Sequence, residues 1–193
     1  GEGSWTQTRL ILTGVMVAAG CGAIITLLLS VAPEERVRGM LFWLMGDFSQ
    51  GVDPIFAWAG VVLLAILTMP LARDMNVMIR GDDSAAALGV SLRLVRMAIY
   101  FLASVATAIS VMTAGAIGFV GLVIPHLVRM VVGNDQRTLL PCTLFGGGIF
   151  LVFADTLART LVAPQQLPVG VVTALIGSPF FIAMLMKAKL KNE

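Results

Sequence analysis

The chain has 193 residues, of which 58% are hydrophobic and only 12% are charged, and its mean hydropathy is +0.95. Soluble domains carry roughly 25% charged residues to cover their surface, so this composition excludes an ordinary soluble domain and predicts a membrane protein. The net charge of +2 is small and the 13 Lys and Arg residues are scattered, so no nucleic acid partner is expected.

The spacing of charged residues predicts the membrane-spanning helices, because a crossing takes about 20 mostly apolar residues. The uncharged run at 97–128 has 32 residues, and a straight helix of that length, about 48 Å, would overshoot the bilayer. A break near 114–121 is therefore expected, supplied by the structural residues Gly115, Gly118, Gly121 and Pro125. Pro164 and Pro168 set off the last span.

The expected fold is all-α: one polytopic membrane domain, residues 1–193, with about six transmembrane helices. The predicted spans are about 10–31, 54–72, 97–114, 119–133, 140–161 and 170–187. Six spans with the N-terminus inside place ten Lys and Arg residues in the cytoplasm against three outside, whereas five spans give six against seven. Because cytoplasmic loops carry the excess of Lys and Arg, six spans are favoured, with both ends of this chain cytoplasmic.

The loop at 73–92, which we call the 73–92 loop, has the pattern of two short helices. Asp74 is expected to cap the first, Gly81 to end it, and Asp82 or Asp83 to cap the second. Gly89 ends the second, and Ser91 caps the next span. One side of the loop is small and apolar, formed by Ala85, Ala86 and Leu88. Because a mere connector needs only a few residues, a partner is favoured over an inert hairpin.

Small residues spaced by four form possible helix-packing ridges on three predicted spans. The ridges are Gly14, Ala18 and Gly22; Ala106, Ser110 and Ala114; and Gly170, Ala174 and Ser178. The alternative is that small residues are simply common in membrane helices.

Few residues can carry chemistry. There is no nucleotide-binding loop and no convergent catalytic set, and a lone His126 cannot make a metal site. Asp155 and Arg159 lie four apart inside a predicted span, where charge is costly and usually functional, so they can pair on one helix face. Arg159 lies near the helix end and can also reach the external surface. A structural pair and an external docking or substrate role both stay open.

Several motifs in order closely resemble the permease subunits of bacterial binding-protein-dependent ABC importers for ferric siderophores, haem and cobalamin. They are GFVGLVIPHLVR at 118–129, LLP at 139–141, ADTLAR at 154–159 and LPVGVVTALIGSPFF at 167–181. The resemblance extends back through 86–90 and 42–46 to 9–14, and so covers nearly the whole chain. It implies the last six of the family's ten spans.

The resemblance also implies partners. Such permeases pair with a second copy, as a homodimer or close heterodimer, in the bacterial inner membrane. Two ATPase subunits lie below and a soluble or lipid-anchored substrate-binding protein lies above, so the chain is expected to be a transport subunit and not an enzyme, with no cofactor and no metal. The 73–92 loop matches the family's coupling loop. The residues implied to dock on the ATPase are Asp82, Asp83, Ser84, Ala85, Ala86, Leu88 and Gly89.

Two further roles follow from the resemblance alone. Arg159 matches an external arginine that pairs with a glutamate of the binding protein, with Asp155 as a structural neighbour. Thr6, Gln7 and Thr8 align with the small polar residues of the cytoplasmic gate. The competing function is a stand-alone channel or secondary transporter fragment, which would normally show ionisable residues along a midplane path. A membrane-embedded enzyme using His126 and Asp155 is a third alternative.

Overall fold

The computed structural model describes residues 2–48 and 54–190, without the side chains of residues 2–8, 10, 54, 185 and 187–190. In this part of the chain the regular structure is entirely helical, as the sequence predicts. The helices are α1 (Glu2–Val31), α2 (Glu34–Leu44), α3 (Pro54–Thr68), α4 (Leu71–Met78), α5 (Asp82–Ala87), α6 (Leu92–Ala114), α7 (Val120–Val132), α8 (Gln136–Thr160) and α9 (Val169–Leu190). They fall into two compact units, Gly1–Phe42 and Trp43–Glu193.

The first unit consists of α1 and most of α2. In α1 the segment Ile11–Val31 is 21 residues long and apolar enough to cross a membrane. Glu34 and Glu35 lie in the first turn of α2, where negative charge favours the helix dipole. One turn apart on that helix, the Arg38 guanidinium carbon lies 5.9 Å from the centroid of the Phe42 ring.

In the second unit, two helices have the length and apolarity of a full crossing: α6, with 23 residues, and α8, with 25. Helices α3 and α4 together form a further candidate, bent by 54° at the break between them. Helices α7 and α9 are apolar but shorter. Each predicted span thus has a helix at its position, while the number that cross the bilayer stays a prediction.

The chain breaks between α6 and α7, at the residues where the sequence predicts a break. Gly115 follows α6 with φ 73° and ψ −166°, and Phe119 precedes α7 in the left-handed conformation with φ 68°. A Cβ added at Gly118 or Gly121 would meet no atom within 4 Å. The break therefore depends on Gly115 and Phe119, and nothing around the two other glycines requires their small size. Pro125 lies inside α7 without ending it.

One stretch of main chain, residues 43–48, crosses two other elements of the second unit at very short range. A Cβ at Gly115 would overlap the Trp43 carbonyl oxygen, and one at Gly170 would overlap that of Met45. The Val169 N–H donates to the Gly46 carbonyl at 2.9 Å, and the Asp47 N–H donates to the Ala114 carbonyl at 3.0 Å. We call this segment the crossing segment. It ties the end of α6 to the start of α9 by main-chain contacts.

The best-buried apolar cluster lies beside the crossing segment, where α8 ends and α9 begins. Its buried members are Ala154, Ala158, Val169 and Val172, and Phe48, Ile117, Leu157 and Leu167 pack on them. Pro168 is buried at the same corner. The Leu167 N–H donates to the Ala158 carbonyl at 3.0 Å, so the connection after α8 folds back onto its last turns.

Serine and threonine side chains on the long helices bond to their own helix. The hydroxyls of Thr107, Ser110 and Thr156 each donate to the carbonyl four residues earlier, at 2.8 Å. Such bonds satisfy hydroxyls where no water is present. Many large apolar side chains of α6 and α8 are exposed, such as Phe101 and Phe145, as expected for helices that face lipid.

Candidate coupling and docking sites

The 73–92 loop contains two short helices, but their caps differ from those predicted. Helix α4 begins at Leu71 with Pro70 as its N-cap, so Asp74 lies in its first turn and does not cap it. Gly81 follows α4 as predicted and is also the N-cap of α5, with φ 108° and ψ 151°, a positive-φ conformation open to glycine. Gly89 has φ 81° after α5, as expected for a terminating glycine.

Neither Asp82 nor Asp83 caps α5 with its side chain; both lie in its first turn. The Asp82 carboxylate instead binds Arg96 of α6, whose Nη2 lies 2.8 Å from Oδ1 and 2.6 Å from Oδ2. The two side chains are 50% and 53% exposed, so the pair contributes at most about 1 kcal/mol. It links the first turn of α5 to α6. Ser91 is the N-cap of α6, but its side chain makes no capping bond.

The small apolar side of the loop divides between the interior and the surface. Ala85 is fully buried, whereas Leu88 is 67% exposed and Ala86 is exposed beside it. Ala85 therefore packs within the chain, which corrects its grouping with a surface for the ATPase. Asp83, Ser84 and Gly89 are exposed.

A polar clamp that the sequence did not reveal joins the same loop to α8. The Asn76 Nδ2 donates to Asp135 Oδ1 at 2.7 Å, and the Gln136 N–H donates to Asn76 Oδ1 at 2.8 Å. Asp135 is the N-cap of α8 and also accepts from the Arg137 N–H at 3.0 Å. These bonds, that from Arg137 first and that from Asn76 second, lower the pKa of Asp135 below its ordinary value.

The predicted pairing of Asp155 with Arg159 is present. The Arg159 Nε donates to Asp155 Oδ2 at 2.8 Å, and the two side chains are 43% and 26% exposed respectively. Asp47, on the crossing segment, adds a favourable charge interaction with Arg159. The bond to Asp155 uses one of the five N–H donors of a guanidinium, so an exposed arginine held in this way can still bind another carboxylate.

The ridge of Gly170, Ala174 and Ser178 lines a cavity of about 430 Å³ together with Met45, Ala116 and Gly118. This leaves one face of α9 lined by small side chains, where another helix backbone could approach closely.

The structure gives few contacts for the other candidate residues from the sequence analysis. The side chains of Thr6, Gln7 and Thr8 lie outside the described residues. His126 lies half-buried in α7. Among the residues described, no group of three His, Cys, Asp or Glu side chains could hold a metal ion.

Several long helices with exposed apolar side chains define a multi-pass membrane protein. Its relatives define the class of this protein as transport permeases. The chain belongs to the FecCD transport family, whose profile matches residues 1–187. It is 38% identical to the hemin transport system permease protein HmuU of Yersinia pestis over 189 residues, which cover 97% of this chain and 57% of the relative.

A second relative is the cobalamin import system permease protein BtuC of Halobacterium salinarum, 42% identical over 192 residues, or 98% of this chain and 51% of the relative. Among solved structures, a metal-chelate type ABC transporter in an inward-facing conformation matches with a TM-score of 0.84 and 34% identity, over 92% of this chain and 58% of that one. The chain thus spans about half the length of the curated relatives it matches. The family assigned from sequence motifs is confirmed.

Proposed function

We propose that this chain forms part of the membrane-spanning permease of an ATP-driven, binding-protein-dependent importer for an iron chelate, such as a siderophore or haem, or for cobalamin. The family match over residues 1–187 carries the proposal. The two relatives described above are permeases named for hemin and cobalamin. ATP hydrolysis belongs to separate ATPase subunits, and the permease supplies the path through the cytoplasmic membrane.

The ATPase is proposed to dock on the 73–92 loop. Ala86 and Leu88 are exposed on and just after α5, with the charged Asp83 nearby in sequence. Ala86 and Leu88 lie two residues apart, so one cleft of a partner can bury both. The Asp82–Arg96 pair supports this role because it links α5 to the long helix α6.

The binding protein is proposed to dock on Arg159. The bond to Asp155 fixes the guanidinium through Nε, and the terminal N–H groups can bind a glutamate of the partner. We place this end of α8 outside, and both ends of the described chain in the cytoplasm, from the distribution of Lys and Arg. Thr6, Gln7 and Thr8 are proposed to belong to the cytoplasmic gate.

A second permease copy is proposed to pair with this one, as a homodimer or close heterodimer. The cavity lined by Gly170, Ala174 and Ser178 supports close helix packing on α9. The substrate path would run between the two copies.

Purification from native membranes tests the proposed function. The permease that contains this chain should bring down an ATPase subunit, and vesicles carrying the complex should accumulate a ferric siderophore, haem or cobalamin only with ATP and the binding protein. Uptake without ATP and without an associated ATPase would instead support a channel or secondary transporter.

Charge reversal separates the two roles open to Arg159. If Arg159 binds a partner glutamate, Arg159→Glu should weaken docking and a Glu→Arg change on the binding protein should restore much of it. If Arg159 serves only Asp155, the change leaves two carboxylates on one helix face, folded complex should be lost, and no change on the partner should rescue it.

A further inference from the structure

The clamp formed by Asn76 is a direct polar connection between the 73–92 loop and α8. Its two bonds, 2.7 Å from Asn76 Nδ2 to Asp135 Oδ1 and 2.8 Å from the Gln136 N–H to Asn76 Oδ1, join residues 59 and 60 positions apart in the chain. The side-chain amide of Asn76 thus hydrogen-bonds to both the N-cap residue and the first residue of α8.

Breaking the clamp would leave a buried main-chain N–H group without a hydrogen-bond partner. Gln136 is 7% exposed, so its N–H has little access to water if Asn76 is lost. A helix N-terminus leaves its first N–H groups without intrahelical partners, and a buried donor left unsatisfied costs about 1–3 kcal/mol. An asparagine satisfies this N–H with its carbonyl oxygen and Asp135 with its amide, which an aliphatic residue cannot do.

Helix α8 connects the clamp to the opposite end of the second unit. It runs unbroken through 25 residues, about 37 Å at 1.5 Å per residue. Asp135 precedes its first residue, and Asp155 and Arg159 pair in its last turns. Pro141 lies inside α8 and removes one internal hydrogen bond without ending the helix, so the remaining bonds still pass a displacement at the N-terminus along it.

We propose that Asn76 is a positioning residue that transmits movement of the 73–92 loop to α8, and so to the end that carries Arg159. This inference rests on the proposed function, because it takes the loop as the contact with the ATPase. In the resting complex the clamp holds the N-terminus of α8 against α4. When the ATPase moves the loop, α8 moves with it.

The test exchanges the amide and the carboxylate of the clamp. Asn76→Asp places two carboxylates against each other and loses the amide donor to Asp135. Combined with Asp135→Asn, it removes the repulsion and restores the connection between the two positions, since the amide at position 135 donates to the carboxylate at 76, which still accepts from the Gln136 N–H. The Arg137 N–H, which shares the Asp135 Oδ1 acceptor with Asn76, is then left to solvent. Asn134→Asp is the matched control: it makes the same chemical change one residue before the cap, where negative charge suits the helix N-terminus.

The measurement is substrate transported per ATP hydrolysed, in the complete importer reconstituted with its binding protein. Because this is a ratio, loss of folded complex alone leaves it unchanged. Asn76→Asp should lower it about five- to tenfold, within the range of coupling between distant sites. The double variant should return to within about twofold of wild type, and Asn134→Asp should match wild type.

An unchanged ratio in Asn76→Asp, or a reduced ratio that the double variant does not restore, would overturn the inference while the proposed function stands. Absence of an ATPase from the wild-type complex would instead reject the proposed function and the inference with it. A purely structural clamp gives a third pattern, which also rejects the inference: lower yield and melting temperature with a wild-type ratio.

Discussion

Gly115→Ala should destabilise the protein strongly, while the same change three residues later should not. Gly115 has φ 73° and ψ −166°, a conformation essentially restricted to glycine, and forcing another residue into it costs about 1–3 kcal/mol. A Cβ there would also overlap the Trp43 carbonyl oxygen. Because that oxygen belongs to main chain that cannot rotate away, overpacking adds about 1–3 kcal/mol.

Together the two effects amount to about 2–6 kcal/mol. For a chain of this size 1 kcal/mol corresponds to about 2–4 °C in melting temperature, so Gly115→Ala should lower the melting temperature by roughly 4–24 °C. Gly118→Ala is the matched control, since a Cβ there meets no atom within 4 Å. Reducing the freedom of the unfolded chain could even stabilise that variant by about 0.4–1 kcal/mol.

The assay is the apparent melting temperature of the detergent-solubilised complex, followed by size-exclusion chromatography after heating. A Gly115→Ala variant that melts with wild type, or a Gly118→Ala variant that melts far below it, would refute the account of the helix break given above.

Three further outcomes are expected. In intact cells, a cysteine at Gln165 should react with an impermeant thiol reagent and one at Asp83 should not; the reverse pattern would contradict the six-span topology. Ala86→Trp should reduce transport while the complex still assembles, because Ala86 is exposed, whereas Ala85→Trp should reduce the yield of folded protein, because Ala85 is fully buried; equal yields would contradict this burial. The folded state lowers the pKa of Asp135 from 3.8, so its contribution to stability is present above that value and is lost as the pH falls through the folded pKa; the melting-temperature advantage of wild type over Asp135→Asn should therefore shrink on acidification, and a constant advantage would argue against it.

Local sequence patterns predicted much of the fold. The spacing of charges predicted the positions of α1, α3, α6, α7, α8 and α9, but not the charged helix α2. The interval of four predicted that Asp155 and Arg159 pair, because this signal acts within one helix. The cap predictions for Asp74 and Asp82 were wrong for a physical reason: α4 begins four residues earlier than a cap at Asp74 would place it, shortly after α3, and the Asp82 carboxylate binds Arg96 instead of its own helix.

Contacts between distant segments could not be predicted in this way. The clamp joins Asn76 to a residue 59 positions away, and neither residue lies in a motif. The crossing segment acts through the main-chain oxygens of Trp43 and Met45, which every residue type possesses. A single sequence shows which side chains are available, but not which main-chain atoms the fold brings against a glycine.

The serine and threonine hydroxyls that bond to their own helices have a consequence for a solute that passes through the proposed importer. Thr107, Ser110 and Thr156 have their one O–H donor engaged by a carbonyl of their own helix, so a solute that passes these three side chains meets their oxygen acceptors but no free hydroxyl proton from them. These three side chains therefore offer no free donor to a carboxylate-rich or carbonyl-rich chelate. In the proposed importer, weak binding at these positions would shorten the dwell time of the solute and leave its selection to the binding protein.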